Sequence, residues 1–203
     1  MHLVFDIFQG IGIAAAVGVR PFLPALAVGA LAAGNIQIDF NGSDCAFLQG
    51  VPFLLVMLLG AVILAVAERR LAARTLEGAP AISAFGLAAG AVGALLFAGS
   101  LCRGHYALWP GIVGGVICAG VGFAATGPLL LRVRARLKAM QSGADGPLAG
   151  LLPLFTEGAA LLLAVLSVLL PPVGPIGLAL LVWLLFAGRG RKDQKYAGLR
   201  ILR

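Results

Sequence analysis

Long apolar runs separated by short polar connections make up almost the whole chain. Six can be drawn: Val4 to Gly34, Ala46 to Ala67, Ile82 to Cys102, Trp109 to the "RVRARLK" run, Leu148 to Leu170, and Val173 to Gly188. A helix of roughly 20 apolar residues crosses a hydrocarbon layer while satisfying its own backbone. The pattern therefore predicts an all-α, polytopic transmembrane helix bundle of about six spans. It forms one domain over residues 1–188, followed by a basic tail at 189–203.

The first run is irregular. "GVRPFLP", Gly18 to Pro24, sets an arginine and two prolines inside it. About 30 residues is long for one straight span and short for two. Pro21 and Pro24 each remove a backbone donor, so a break near Arg20-Pro21 has a physical cause. The preferred reading is one broken helix. A re-entrant hairpin, which would put the N-terminus outside, is the alternative.

Composition strengthens the membrane reading. Of 203 residues, 61% are hydrophobic and 11% charged, against about half and a quarter in soluble domains. The net charge of +7 does not point to nucleic acid, because the basic residues are confined to connections and the tail. Arg69, Arg70 and Arg74, then Arg132, Arg134, Arg136 and Lys138, then Arg189, Arg191, Lys192, Lys195, Arg200 and Arg203 fall on one side of a six-span arrangement. The other side has Arg103, with Asp39 and Asp44. The positive-inside rule then expects both termini in the cytoplasm, in a bacterial inner membrane. "MHLVFDIF" lacks the basic start of a cleavable signal peptide. Expected partners are the lipid bilayer, anionic headgroups under the tail "GRGRKDQKYAGLRILR", and further copies of the chain.

The costly residues are the charges inside the runs. Arg20 lies near mid-membrane, where insertion costs at least about 2.5–3.5 kcal/mol. Glu157 is about nine residues into the fifth run, also near the midplane at about 1.5 Å per residue. Opposite charges at one depth suggest a pair. Thr156, exposed backbone around Pro21, Pro24 and Pro153, and Thr126 complete it. One reading is a midplane site for an ion or polar solute, built as in transporters with broken helices. The other is a static ion pair that fixes helix register. Glu68 and Asp6 are secondary candidates, each placed near the cytoplasmic end of its run, where an interfacial salt bridge is the plainer reading.

Little else offers chemistry. His105 has no companion ligand, and Cys45, Cys102 and Cys118 show no metal spacing. Cys45 and Cys102 both fall near the outer face, which leaves a disulfide open beside isolated thiols. Gly10-x-Gly12-x-x-Ala15 follows no strand, so it is not a dinucleotide fingerprint. No catalytic set is visible, and neither an enzyme nor a cofactor is expected. Gly86 with Gly90, and Gly111 with Gly115, have helix-packing spacing. "AAVGVRPFLPAL" (Ala15 to Leu26) also aligns with "AGVGFAATGPLL" (Ala119 to Leu130), which leaves open a three-plus-three inverted repeat beside a chance likeness of two Gly/Ala-rich segments.

"GIAAAVGVRPFLPAL", the Glu68 ending of the second run, "FTEGAALLLAVLSVLLPP" and the terminal "KYAGLRILR" together resemble an uncharacterised bacterial integral-membrane family, a domain of unknown function. The resemblance covers most of the chain. It implies a small-Gly-x-polar-Pro-aromatic break and a mid-span acid, matched here by Gly18, Arg20, Pro21, Phe22 and Glu157. It also implies an uncharged polar residue where Arg20 stands, and a second acid where Gly158 stands. No substrate follows from it. The expectation is a small transporter or channel-like protein; the alternative is a non-transporting scaffold or lipid-organising protein.

Overall fold

A computed structural model describes residues 2–70, 79–102, 104, 106–140 and 147–197. Among them are seven α-helices and no strand: α1 (His2–Val19), α2 (Phe22–Ala33), α3 (Val51–Arg70), α4 (Ala79–Cys102), α5 (Leu108–Met140), α6 (Pro147–Leu169) and α7 (Val173–Ala197). A 3-10 turn, Ala46–Gln49, precedes α3. Three stretches are long and apolar enough to cross a membrane: Ser83–Cys102, Leu108–Gly127 and Leu152–Leu169. The apolar parts of α1, α2, α3 and α7 are shorter. Large apolar side chains stand exposed along α3, among them Leu55, Leu59 and Ile63, and along α7, as Ile176, Leu180 and Trp183 do. Such faces suit lipid, not water.

Pro21 breaks the first run as its chemistry requires. Its ring denies a donor to the preceding turn, and the residue before a proline is pushed out of the helical region. Arg20 is the residue that leaves the helix, although its N–H still bonds Ala16 O at 3.1 Å. Pro21 itself is helical (φ −74°, ψ −36°). Pro24 falls in the first turn of α2, where a missing N–H costs nothing.

The break reverses the chain. Gly10 of α1 lies against Phe97 and Ser100 near the end of α4. Eight residues later Gly18 meets Ala119 of α5, well inside the bundle. The ring of Phe22 then covers Gly60 in the middle of α3. Gly29 is back at the starting end, against the carbonyl of Leu48, whose side chain touches Gly99 of α4. Were α2 to continue α1, Gly29 would stand about 28 Å beyond Gly10. The two arms instead form a hairpin with Arg20 at its tip.

This corrects the expected broken helix. Within the described residues it also sets the start of α1 and the end of α7 at opposite ends of the bundle. α1 begins at the bundle end where α4 and α6 finish, whereas α7 runs to the opposite end. Asp6, expected near the cytoplasmic end of its run, lies at the bundle end opposite the one where α3 and α5 finish, and it is buried. The charge rule could not see this, because no Lys or Arg precedes Arg20.

Residues 34–50 close the mouth of the hairpin. Asn35 and Gln37 take positive φ of 55° and 61°, and the segment is knit by its own side chains. The Gln49 carbonyl accepts from Phe40 N–H (3.1 Å), and its amide donates to Asn41 Oδ1 (2.6 Å). Ile38, Phe40 and Leu48 are turned inward and join Val28 and Ala32 of α2 in the main apolar core.

Of the glycine pairs, Gly111 and Gly115 pack closely on Ala98 and on Gly93 with Ala94, whereas a side chain on Gly90 would meet open space. The two aligned segments touch each other. A side chain on Gly18 would strike Ala119, and one on Gly122 would strike Ala15. These are reciprocal contacts between equivalent positions, but beyond them one segment breaks and the other continues as α5.

Candidate functional site

The hairpin carries Arg20 to the middle of the bundle, and α6 brings Thr156 and Glu157 to meet it. Glu157 follows Pro147 by ten residues and precedes Leu169 by twelve, placing it about 15 Å from one end of α6 and about 18 Å from the other. Arg20 Nε lies 3.7 Å from Glu157 Oε1, with side-chain exposures of 10% and 19%. Arg20 also donates from Nε (3.3 Å) and Nη2 (3.2 Å) to Thr156 Oγ1. The Thr156 hydroxyl in turn donates a hydrogen bond to Pro153 O at 2.8 Å.

Each part has a local reason. Pro153 stands inside α6, and a proline there leaves a carbonyl without its helical donor. Thr156, one turn on, bonds backward in the manner of hydroxyls inside helices, so its oxygen lone pairs turn to the guanidinium. Arg20 is poised by the break: it follows the last turn of α1, where a positive charge is favoured by the carbonyl end of the helix. A planar fork can serve a hydroxyl and a carboxylate together.

The other candidates are not gathered here. Pro21 is buried at the tip beside Arg20. Thr126 of α5 is half-buried and bonds the carbonyls of Gly122 (2.8 Å) and Phe123 (3.1 Å) on its own helix. Asp6 belongs to the far end of α1. Glu68 lies near the end of α3, and its side chain is outside the described residues, as are Arg103, His105 and the side chains of the tail.

Three buried polar side chains escaped the sequence reading. Gln9 of α1 donates to Val168 O of α6 at 3.3 Å. Ser100 and Ser167 bond back to Phe97 O and Leu163 O at 2.7 and 2.6 Å. The signal for Gln9 was present: a lone amide in an apolar run needs a partner. Among the described residues no group of three or more His, Cys, Asp or Glu gathers as a metal site. Comparison with protein-family models, with curated proteins and with solved structures finds no match to this chain.

Proposed function

We propose that the chain is a small protein of a bacterial inner membrane whose hairpin tip handles a small ion or polar solute. In this reading α3 to α7 cross the bilayer and α1–α2 enter from the face opposite the basic helix ends. The N-terminus is then outside and the C-terminus in the cytoplasm. The reading keeps the chain in the family it resembles, whose implied break and acid fall on Arg20-Pro21 and Glu157.

The observation that carries it is the guanidinium at the tip of a helical hairpin, midway along the bundle. Interrupted helices are tolerated at membrane depth where protein or a water-filled cavity covers them. They bring unbonded carbonyls of one half-helix and N–H groups of the other to the same place. Arg20, Glu157 and Thr156 add a cation, an anion and a hydroxyl to those dipoles. A second reading, a non-transporting scaffold, is favoured by the low exposure of the Arg20–Glu157 pair, which suits a static register device.

The two are separated by ligand-dependent thermal unfolding in detergent, run over a panel of inorganic anions, cations and small carboxylates. Uptake of any stabilising compound into proteoliposomes follows. A solute site gives a compound that raises the unfolding midpoint of the native chain and crosses its liposomes, with both effects lost in Arg20→Gln. If no panel member moves the midpoint, and loaded vesicles leak no faster than protein-free ones, the scaffold reading replaces it.

A further inference from the structure

Two of the three cysteines meet where residues 34–50 fold over the bundle. Cys45 Sγ lies 2.8 Å from Cys102 Sγ, and both residues are buried. Cys45 immediately precedes the 3-10 turn whose Leu48 rests on Gly99, and Cys102 is the last residue of α4. Cys118 is elsewhere, packed with Ala14, Phe97 and Leu101.

We infer that Cys45 and Cys102 are a redox pair that closes into an intramolecular disulfide by exchange with a disulfide-bonded oxidant, tying residues 34–50 to the end of α4. The thiolate of one cysteine attacks a sulfur of the oxidant, R–S–S–R, forming a mixed disulfide and releasing one thiolate. The second cysteine attacks the protein sulfur of that bond and expels the other. The two thiol protons pass to the released thiolates; the protein loses two electrons and the oxidant gains them. Burial, then the hydrogen bond to Cys102, pushes the Cys45 thiol up to about 12. Exchange on the folded chain is therefore slow and speeds with rising pH, and the bond closes most readily before residues 34–50 pack down. That this face meets an oxidising compartment rests on the membrane orientation proposed above.

The test counts free thiols on the full chain after acid trapping, denaturation and maleimide labelling. From cells, one labelled cysteine is expected, Cys118, rising to all three after reduction; Cys45→Ser leaves two labelled without reductant. In a second arm, reduced protein in detergent is held with oxidised glutathione at mildly alkaline pH, and intact mass separates the internal bond from a glutathione adduct. Three labelled thiols in both arms, or stable adducts in place of the bond, overturn the pair. Three in cells but one after glutathione keeps the pair and overturns the outward orientation of this face.

Discussion

Residues 15–26 and 119–130 share five identities in twelve positions, yet one turns the chain back and the other lies within a continuous helix. They differ most where the first has Arg20-Pro21 and the second has Ala124-Ala125. Both also carry a proline further on, Pro24 and Pro128. Pro24 lands in the first turn of a new helix, where it costs nothing. Pro128 follows Gly127, which has no Cβ to clash with the proline ring, and α5 continues past it. A proline in an apolar run thus does not by itself break a helix. Pro153, which follows Leu152, also stands inside a continuous helix, α6, so the residue before a proline does not decide alone. Arg20 gives the break a purpose because its guanidinium finds Thr156 and Glu157 on another helix.

The strongest way to break this comparison is to remove what holds the turn. Arg20→Ala takes the guanidinium away from Glu157 at mid-bundle and is expected to cost about 3–5 kcal/mol, as loss of one partner of a buried pair does. Glu157→Ala should cost a similar amount. The exchanged pair, Arg20→Glu with Glu157→Arg, should recover a large part of it. Denaturant-induced unfolding in detergent micelles measures all three. A loss in the exchanged pair close to the sum of the two single losses would show that the two charges act independently.

A second substitution carries the difference from one segment to the other. Ala125 of α5 is buried and matches Pro21 in the alignment. Ala125→Pro should cost about 3 kcal/mol or more, since it removes a helix hydrogen bond and crowds a carbonyl with no arginine to fill the gap. The expected readouts are a lower thermal midpoint and a loss of helical circular dichroism. A variant as stable as the parent would mean that α5, too, is built to bend there.

That Arg20 and Glu157 belong together was readable, because a charge inside an apolar run needs a partner, and Arg20 Nε stands 3.7 Å from Glu157 Oε1. Counting alone does not set them level: at about 1.5 Å per residue Glu157 lies about 13 Å into its run and Arg20 about 24 Å into its own. The cause of the break was readable as well, from Pro21. The direction of the chain after the break was not. Topology is read from Lys and Arg in connections, and α1 offers none before Arg20. A segment of half-helices also has the same hydropathy whether it continues or reverses. The fold decides through contacts that no local pattern encodes, such as Gly29 on the Leu48 carbonyl and the turned-in rings and chains of Ile38 and Phe40. Residues 35–45 looked like an ordinary polar connection, and 46–50 like the start of the second run, because the order of this segment comes from side chains bonding backbone, as Gln49 does at Phe40.

The smallest effects sharpen the comparison at the one place where the two segments are equivalent. Gly18 and Gly122 face each other's helices, each so close that a methyl group would strike the backbone of Ala119 or Ala15. Backbone cannot step aside as a flexible side chain can, so Gly18→Ala and Gly122→Ala should each cost about 1–3 kcal/mol by overpacking. The near symmetry of the crossing predicts similar losses. Gly120 lies two residues from Gly122 on the same helix and has nothing within 4 Å. Gly120→Ala should instead stabilise by about 0.5–1 kcal/mol, the ordinary gain of replacing a helical glycine. Thermal unfolding of the three variants under one detergent condition supplies the test. If Gly18→Ala were tolerated and Gly122→Ala were not, the reciprocal contact would be no real equivalence, and the likeness of the two sequences would reflect only their shared wealth of small residues.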